Sequence, residues 1–93
     1  MQNIPECKYS PEKNAQLKET RGISFEEIEF AINEGKILDV IEHPNKGKYP
    51  NQKIYIVNIN DYIYLVPFVR QGNTVFLKTI FPSRKLTKKY LKK

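Results

Sequence analysis

A single histidine, two adjacent cations behind a serine, and a scatter of lysines and tyrosines are the residues of this chain with chemistry to offer. His43 stands in Glu42-His43-Pro44, Lys53 and Tyr64 lie in stretches of alternating polarity, and Ser83-Arg84-Lys85 opens a basic close that includes Lys88. His43 has a natural pKa suited to proton transfer near neutrality; the plainer alternative is a histidine that caps a strand end. Lys53 carries its charge on a long aliphatic stem, either toward a phosphate or into solvent. One chemistry needs nothing more: cleavage of RNA without a metal. The 2′-hydroxyl is an internal nucleophile already beside the phosphate, so the substrate supplies the proximity. A positioned acid or base typically adds about 10²–10⁴-fold, and one charge-stabilising donor about 10²–10³-fold. On this reading His43, Lys53 and Arg84 are the catalytic candidates, and Ser83, Lys85, Lys88, Lys78 and Tyr64 hold the strand. DNA, lacking the hydroxyl, is bound and left intact.

Other chemistries lack their residues. One Cys and one His cannot supply the four ligands of a structural zinc site. Gly47-Lys48 has neither the glycine five residues earlier nor the following Ser/Thr of a phosphate loop. The carboxylates cluster in the segments that read as N-terminal helices, which argues against a paired-carboxylate metal nuclease. A triad on Ser83 and His43 has no third member. No metal and no cofactor are implied, and Cys7 has no second cysteine to pair with.

The charge is unevenly distributed. The chain has 93 residues and a formal net charge of +6. Residues 1–44 hold five basic and nine acidic side chains, whereas residues 45–93 hold eleven basic ones and only Asp61. Such an asymmetry points to an anionic partner for the C-terminal half, with a solvated lysine tail or an acidic protein partner as alternatives. No apolar run approaches the roughly 18 residues of a membrane helix. Met1–Lys8 has neither the basic start nor the apolar stretch of a signal peptide, so a cytoplasmic location and no membrane partner are expected.

These residues must be positioned by one small domain over 1–93, with 1–9 as a loose lead-in. Ser10-Pro-Glu-Lys13 reads as a helix start with Ser10 as N-cap and Pro11 in the first turn, running to about Arg21 and stopped by Gly22. Ser24-Phe-Glu-Glu27 is a capping box, Ile23 and Ile28 form a hydrophobic staple, and Phe25, Ile28 and Ile32 make one buried face up to Gly35. The period then becomes two. Strands are expected at 36–43, 53–59, 62–69 and 74–81, with Asn60-Asp61 as a two-residue hairpin turn. If Ile59 faces Tyr62, one face pairs Val57 with Tyr64, Tyr55 with Val66 and Lys53 with Phe68. The other pairs Asn58 with Ile63, Ile56 with Leu65 and Ile54 with Pro67. The second, nearly all aliphatic, is expected to be the core beneath the helices, and the tyrosine-rich first face a half-exposed binding surface. Lys78 falls on the aliphatic face, either snorkelling at the sheet margin or displaced by a bulge. Ser83 is expected to cap a last helix, Arg84–Lys92. Arg84 and Lys85 then sit in its first turn, where the helix dipole prefers carboxylates, and free N–H groups, a hydroxyl and two cations make a phosphate-sized anion site. A frayed tail is the alternative.

Tyr9-Ser-Pro-Glu-Lys-Asn14 followed by Arg21-Gly-Ile-Ser-Phe-Glu-Glu-Ile28, together with Phe81-Pro-Ser-Arg-Lys-Leu-Thr-Lys-Lys89, resembles the BrnT family of toxins over nearly the whole chain. The resemblance implies an α+β, RelE-like fold: two N-terminal helices on a four-stranded antiparallel sheet, with a short basic C-terminal helix. It implies an RNA-cleaving toxin of a type II toxin–antitoxin pair. The partner would be a ribbon-helix-helix antitoxin protein, through which alone operator DNA is met. By position, Arg84 and Lys85 match the family's terminal arginine pair, His43 its histidine after the first strand, and Lys53 the arginine entering the second. Tyr9-Ser10 replaces an aromatic-Asp pair. Thr79 replaces an arginine for which the adjacent Lys78 is a substitute, and this departure favours the other class of function: a non-catalytic basic module that binds nucleic acid or an acidic protein.

Overall fold

A computed structural model describes residues 5–91; Met1–Ile4 of the lead-in, and Lys92 and Lys93 of the basic close, lie outside the described residues. The elements are β1 (Glu6–Lys8), α1 (Pro11–Arg21), α2 (Phe25–Asn33), β2 (Ile37–Glu42), β3 (Gln52–Ile59), β4 (Tyr62–Gln71), β5 (Thr74–Leu77), β6 (Phe81–Pro82) and α3 (Arg84–Leu91). The chain is therefore α+β, with three helices and a mixed sheet.

The helix ends follow the local chemistry. Ser10 Oγ accepts the Lys13 N–H at 3.2 Å, and Gly22, at φ +65°, donates its N–H to the Lys18 carbonyl at 3.2 Å. Ser24 Oγ accepts the Glu27 N–H at 3.2 Å while the Glu27 carboxylate accepts the Ser24 N–H at 3.0 Å, which completes the capping box. The β3–β4 hairpin turns on Asn60 and Asp61 at φ 52° and 63°, both left-handed, as a tight hairpin requires. Its register is the expected one, from Ile59 opposite Tyr62 to Lys53 opposite Phe68.

Four expectations are corrected. The sheet is not a four-stranded antiparallel meander: its order is β1-β5-β4-β3-β2, β6 also pairs with β4, and β1 runs parallel to β5. Strand number and order thus depart from the expected RelE-like arrangement. Part of the loose lead-in has become a strand because the Glu6 N–H donates to the Asn73 carbonyl at 2.8 Å; three residues are too few to show a period. The strand expected over 74–81 is interrupted. Between the pairs Phe68–Leu77 and Leu65–Phe81, β4 contributes two residues and the facing segment three, Lys78, Thr79 and Ile80. That extra residue is a bulge, and it lets both Leu77 and Ile80 enter the same core.

The fourth correction concerns which face the helices cover. Leu17, Ile23, Phe25 and Ile28 pack with Tyr55, Val57, Val66 and Phe68, the tyrosine-bearing face, and Tyr55 stacks on Phe68 with centroids 3.9 Å apart. Ile54, Ile56 and Ile63 on the opposite face are also buried, and α3 packs against β4. Both faces are apolar, so counting aliphatic residues could not assign one to α1 and α2.

Candidate nucleic-acid interface

The basic close of the chain is built into the sheet. Ser83 donates its N–H to the Ile63 carbonyl at 2.9 Å, and its Oγ accepts the Leu86 N–H at 3.2 Å. Thr87 donates its hydroxyl to the Ser83 carbonyl at 2.7 Å and accepts the Ile63 N–H at 2.9 Å. Where β4 has run out of strand partners, a threonine side chain takes over the pairing. Arg84, Lys85 and Lys88 are all exposed, and no carboxylate occupies the first turn of α3. The frayed-tail alternative does not describe this arrangement. The dipole and two first-turn cations point the same way, toward an anion in the solvent.

Sequence reasoning missed Arg21 in this neighbourhood. From the end of α1 its Nη1 donates to the Ile80 carbonyl at 2.5 Å, and its guanidinium lies 5.1 Å from the centroid of the exposed Phe81 ring. The contact spans 59 positions, and no local pattern announces it. A cation is thereby fixed one residue before Pro82-Ser83.

The other candidates divide between the two faces of the sheet. Lys78 is exposed, and its N–H donates to the Pro67 carbonyl at 2.8 Å, which puts it in register with the face opposite α1 and α2. The bulge therefore follows Lys78 and does not invert it. His43, whose N–H donates to the Gln52 carbonyl at 3.2 Å, reaches the same face by strand alternation. It lies about three strand spacings across and two residues along the sheet from Lys78, or about 16 Å. Its Nδ1 accepts the Asn45 N–H at 3.1 Å and its ring centroid lies 4.6 Å from that of Tyr49. Lys53 and Tyr64 are on the other face. Tyr64 is half-buried against the helix-side core and does not line an open surface. Burial, then the nearby Glu27 carboxylate, pushes its hydroxyl pKa up. Lys53 is opposite Phe68 and β6 reaches only Tyr64, four residues and so about 13 Å along β4. The structure gathers Ser83, Arg84, Lys85 and Lys88 on one helix and leaves Lys53 and Tyr64 behind the sheet.

Lys53 has surroundings of its own. Beyond the helices, the tyrosine-bearing face opens into a cleft of about 760 Å³ lined by Glu42, Lys46, Lys53, Tyr55, Phe68 and Arg70, among others. Glu42 is bridged by Lys46, whose hydrogen bond and charge, with Lys53 beyond, hold the Glu42 carboxyl below the usual carboxylate range. Among the described residues no three His, Cys, Asp or Glu side chains are grouped to hold a metal ion. No family model, curated protein or solved structure matches the chain.

Proposed function

We propose that this chain is a metal-independent ribonuclease toxin that grips RNA with the Ser83–Lys88 side of α3 and is neutralised by a ribbon-helix-helix antitoxin. The observation that supports the reading is the anchoring of α3: its hydrogen bonds to Ile63 hold Arg84 and Lys85 at the positive end of a formed helix, on a sheet that also presents Lys78. On this reading Arg84 stabilises charge on the phosphate; His43, level with Val69 of β4 through Gln52 and so about 17 Å along the strands from the Tyr64–Pro82 pair, stands apart from it. Arg21, pinned to the Ile80 carbonyl, is an added cation beside the phosphate path. A single observation favours a second reading, a non-catalytic module for nucleic acid or an acidic protein: Lys53 stands on the opposite face from Arg84, so the three catalytic candidates do not converge.

Incubating the purified chain with labelled mRNA in EDTA separates the two. The toxin reading expects cleavage to persist in the chelator and to fall at least about tenfold in Arg84→Ala/Lys85→Ala, as loss of charge-assisted contacts requires, with an unchanged melting midpoint. RNA that is retained on the protein but never cut establishes the binding module. Dependence on a divalent ion, or unimpaired cleavage by the double variant, overturns the mechanism.

A further inference from the structure

The cleft on the tyrosine-bearing face is a second, separate feature. Its volume of about 760 Å³ falls within the range of small-molecule sites, about 300–1,000 Å³, and exceeds what a bare phosphate fills. Strand register puts Lys53 beside Glu42 and opposite Phe68, with Arg70 two residues along β4 on the same face. Among the described residues Lys53 and Arg70 have no ion-pair partner; the only carboxylate lining the cleft, Glu42, is taken by Lys46. Arg70 is oriented from within the strand end, its Nε donating to the Gly72 carbonyl at 3.0 Å, and its remaining guanidinium donors are unused. The Tyr55–Phe68 stack closes the bottom of the cleft with both rings almost wholly buried, and Asn51 lines its rim.

We infer that this cleft seats a nucleoside phosphate, with Lys53 and Arg70 on the phosphate and the nucleoside in the remaining volume beside Asn51. Two cations free of an ion pair recognise the phosphate, Glu42 being held by Lys46, and a volume well beyond that of a phosphate leaves room for the nucleoside. The seat lies on the face opposite the anion site of α3, and it holds or fails independently of the cleavage reading, because binding is read without turnover. The same chemistry arrives either as a free mononucleotide or as the 5′-phosphorylated end of an RNA.

The test follows backbone amide shifts of the full chain by NMR during titration with adenosine 5′-monophosphate, with adenosine, and with RNA hexamers bearing a 5′-phosphate or a 5′-hydroxyl. The monophosphate is expected to shift Lys53, Tyr55, Phe68 and Arg70 saturably, and adenosine to bind at least about tenfold more weakly. Arg70→Gln and, separately, Lys53→Gln weaken the monophosphate by about tenfold each; both side chains are exposed, so the amide spectrum stays folded. Tighter binding by the 5′-phosphorylated hexamer than by its 5′-hydroxyl twin assigns the seat to an RNA end, and stronger response to the mononucleotide assigns it to the free ligand. Adenosine equal to its monophosphate, shifts confined to α3, or none at about 1 mM overturns the inference. So does an acidic peptide that shifts the same four amides while the nucleotide does not.

Discussion

The side chain of Asn14, buried in α1, donates through Nδ2 to the Glu26 carboxylate at 2.8 Å and accepts the Phe25 N–H on Oδ1 at 2.7 Å. It thereby satisfies a backbone donor at the start of α2 that the capping box leaves over. Phe25 itself is fully buried, so water cannot replace the asparagine. Asn14→Ala is expected to lower the unfolding free energy by about 1–3 kcal/mol, the penalty for stranding a buried donor, seen as a lower urea midpoint. The same bond is the leading cause that holds the Glu26 carboxyl below its ordinary pKa, with Lys18 contributing less. A depressed carboxyl stabilises the fold above its unfolded pKa and loses that contribution as pH falls through the folded value. The alanine variant should therefore be the less acid-sensitive chain as well as the weaker one. Nothing in the sequence marked Asn14: its two partners lie 11 and 12 positions away, beyond any capping pattern.

Among the elements, α3 depends on one hydroxyl. Thr87→Val removes both its bond to the Ser83 carbonyl and the acceptor for the Ile63 N–H. The expected outcome is faster amide exchange at Ile63 and through α3, equivalent to about 1–3 kcal/mol, while α1 and α2 keep their protection. Thr87→Ser should restore it. Helix starts were legible in the sequence because their chemistry is confined to four residues: Ser10 with Lys13, Ser24 with Glu27, Ser83 with Leu86. The β3–β4 register was legible for the same reason, since Asn60-Asp61 admits only one tight pairing of its flanks. What sits on either side of the resulting sheet was not. A hairpin apolar on both faces carries no instruction about which face receives the first helices, and here the stacked Tyr55 and Phe68 went under them. The bulge at Lys78–Ile80 was open for a related reason: one added residue leaves the composition unchanged and alters only where Leu77 and Ile80 point.

For the whole molecule, the division of charge proved easier to read than the site it implies. Eleven of the sixteen basic residues fall after residue 44; of those the structure describes, only Lys53 and Arg70 lie in strands, Arg84, Lys85, Lys88 and Lys89 lie on α3, and Lys46, Lys48 and Lys78 lie in connections. Ser83, Arg84 and Lys85 are neighbours in sequence and remain so in space. His43 and Lys53 seemed to belong with them because all are basic or proton-carrying, but strand alternation sends His43 and Lys53 to opposite sides. Arg21 comes from the acidic half and reaches the basic one, which no charge count anticipates. The pairing of β1 with β5 joins Glu6 to Thr74, 68 positions apart. A ribosome makes Glu6–Lys8 long before Thr74–Phe76, so β1 waits, unpaired, until β5 has followed it out. Chains stalled at residue 70 should show rapid amide exchange at Cys7, and the full chain slow exchange. The order of an early segment is here conferred by a much later one.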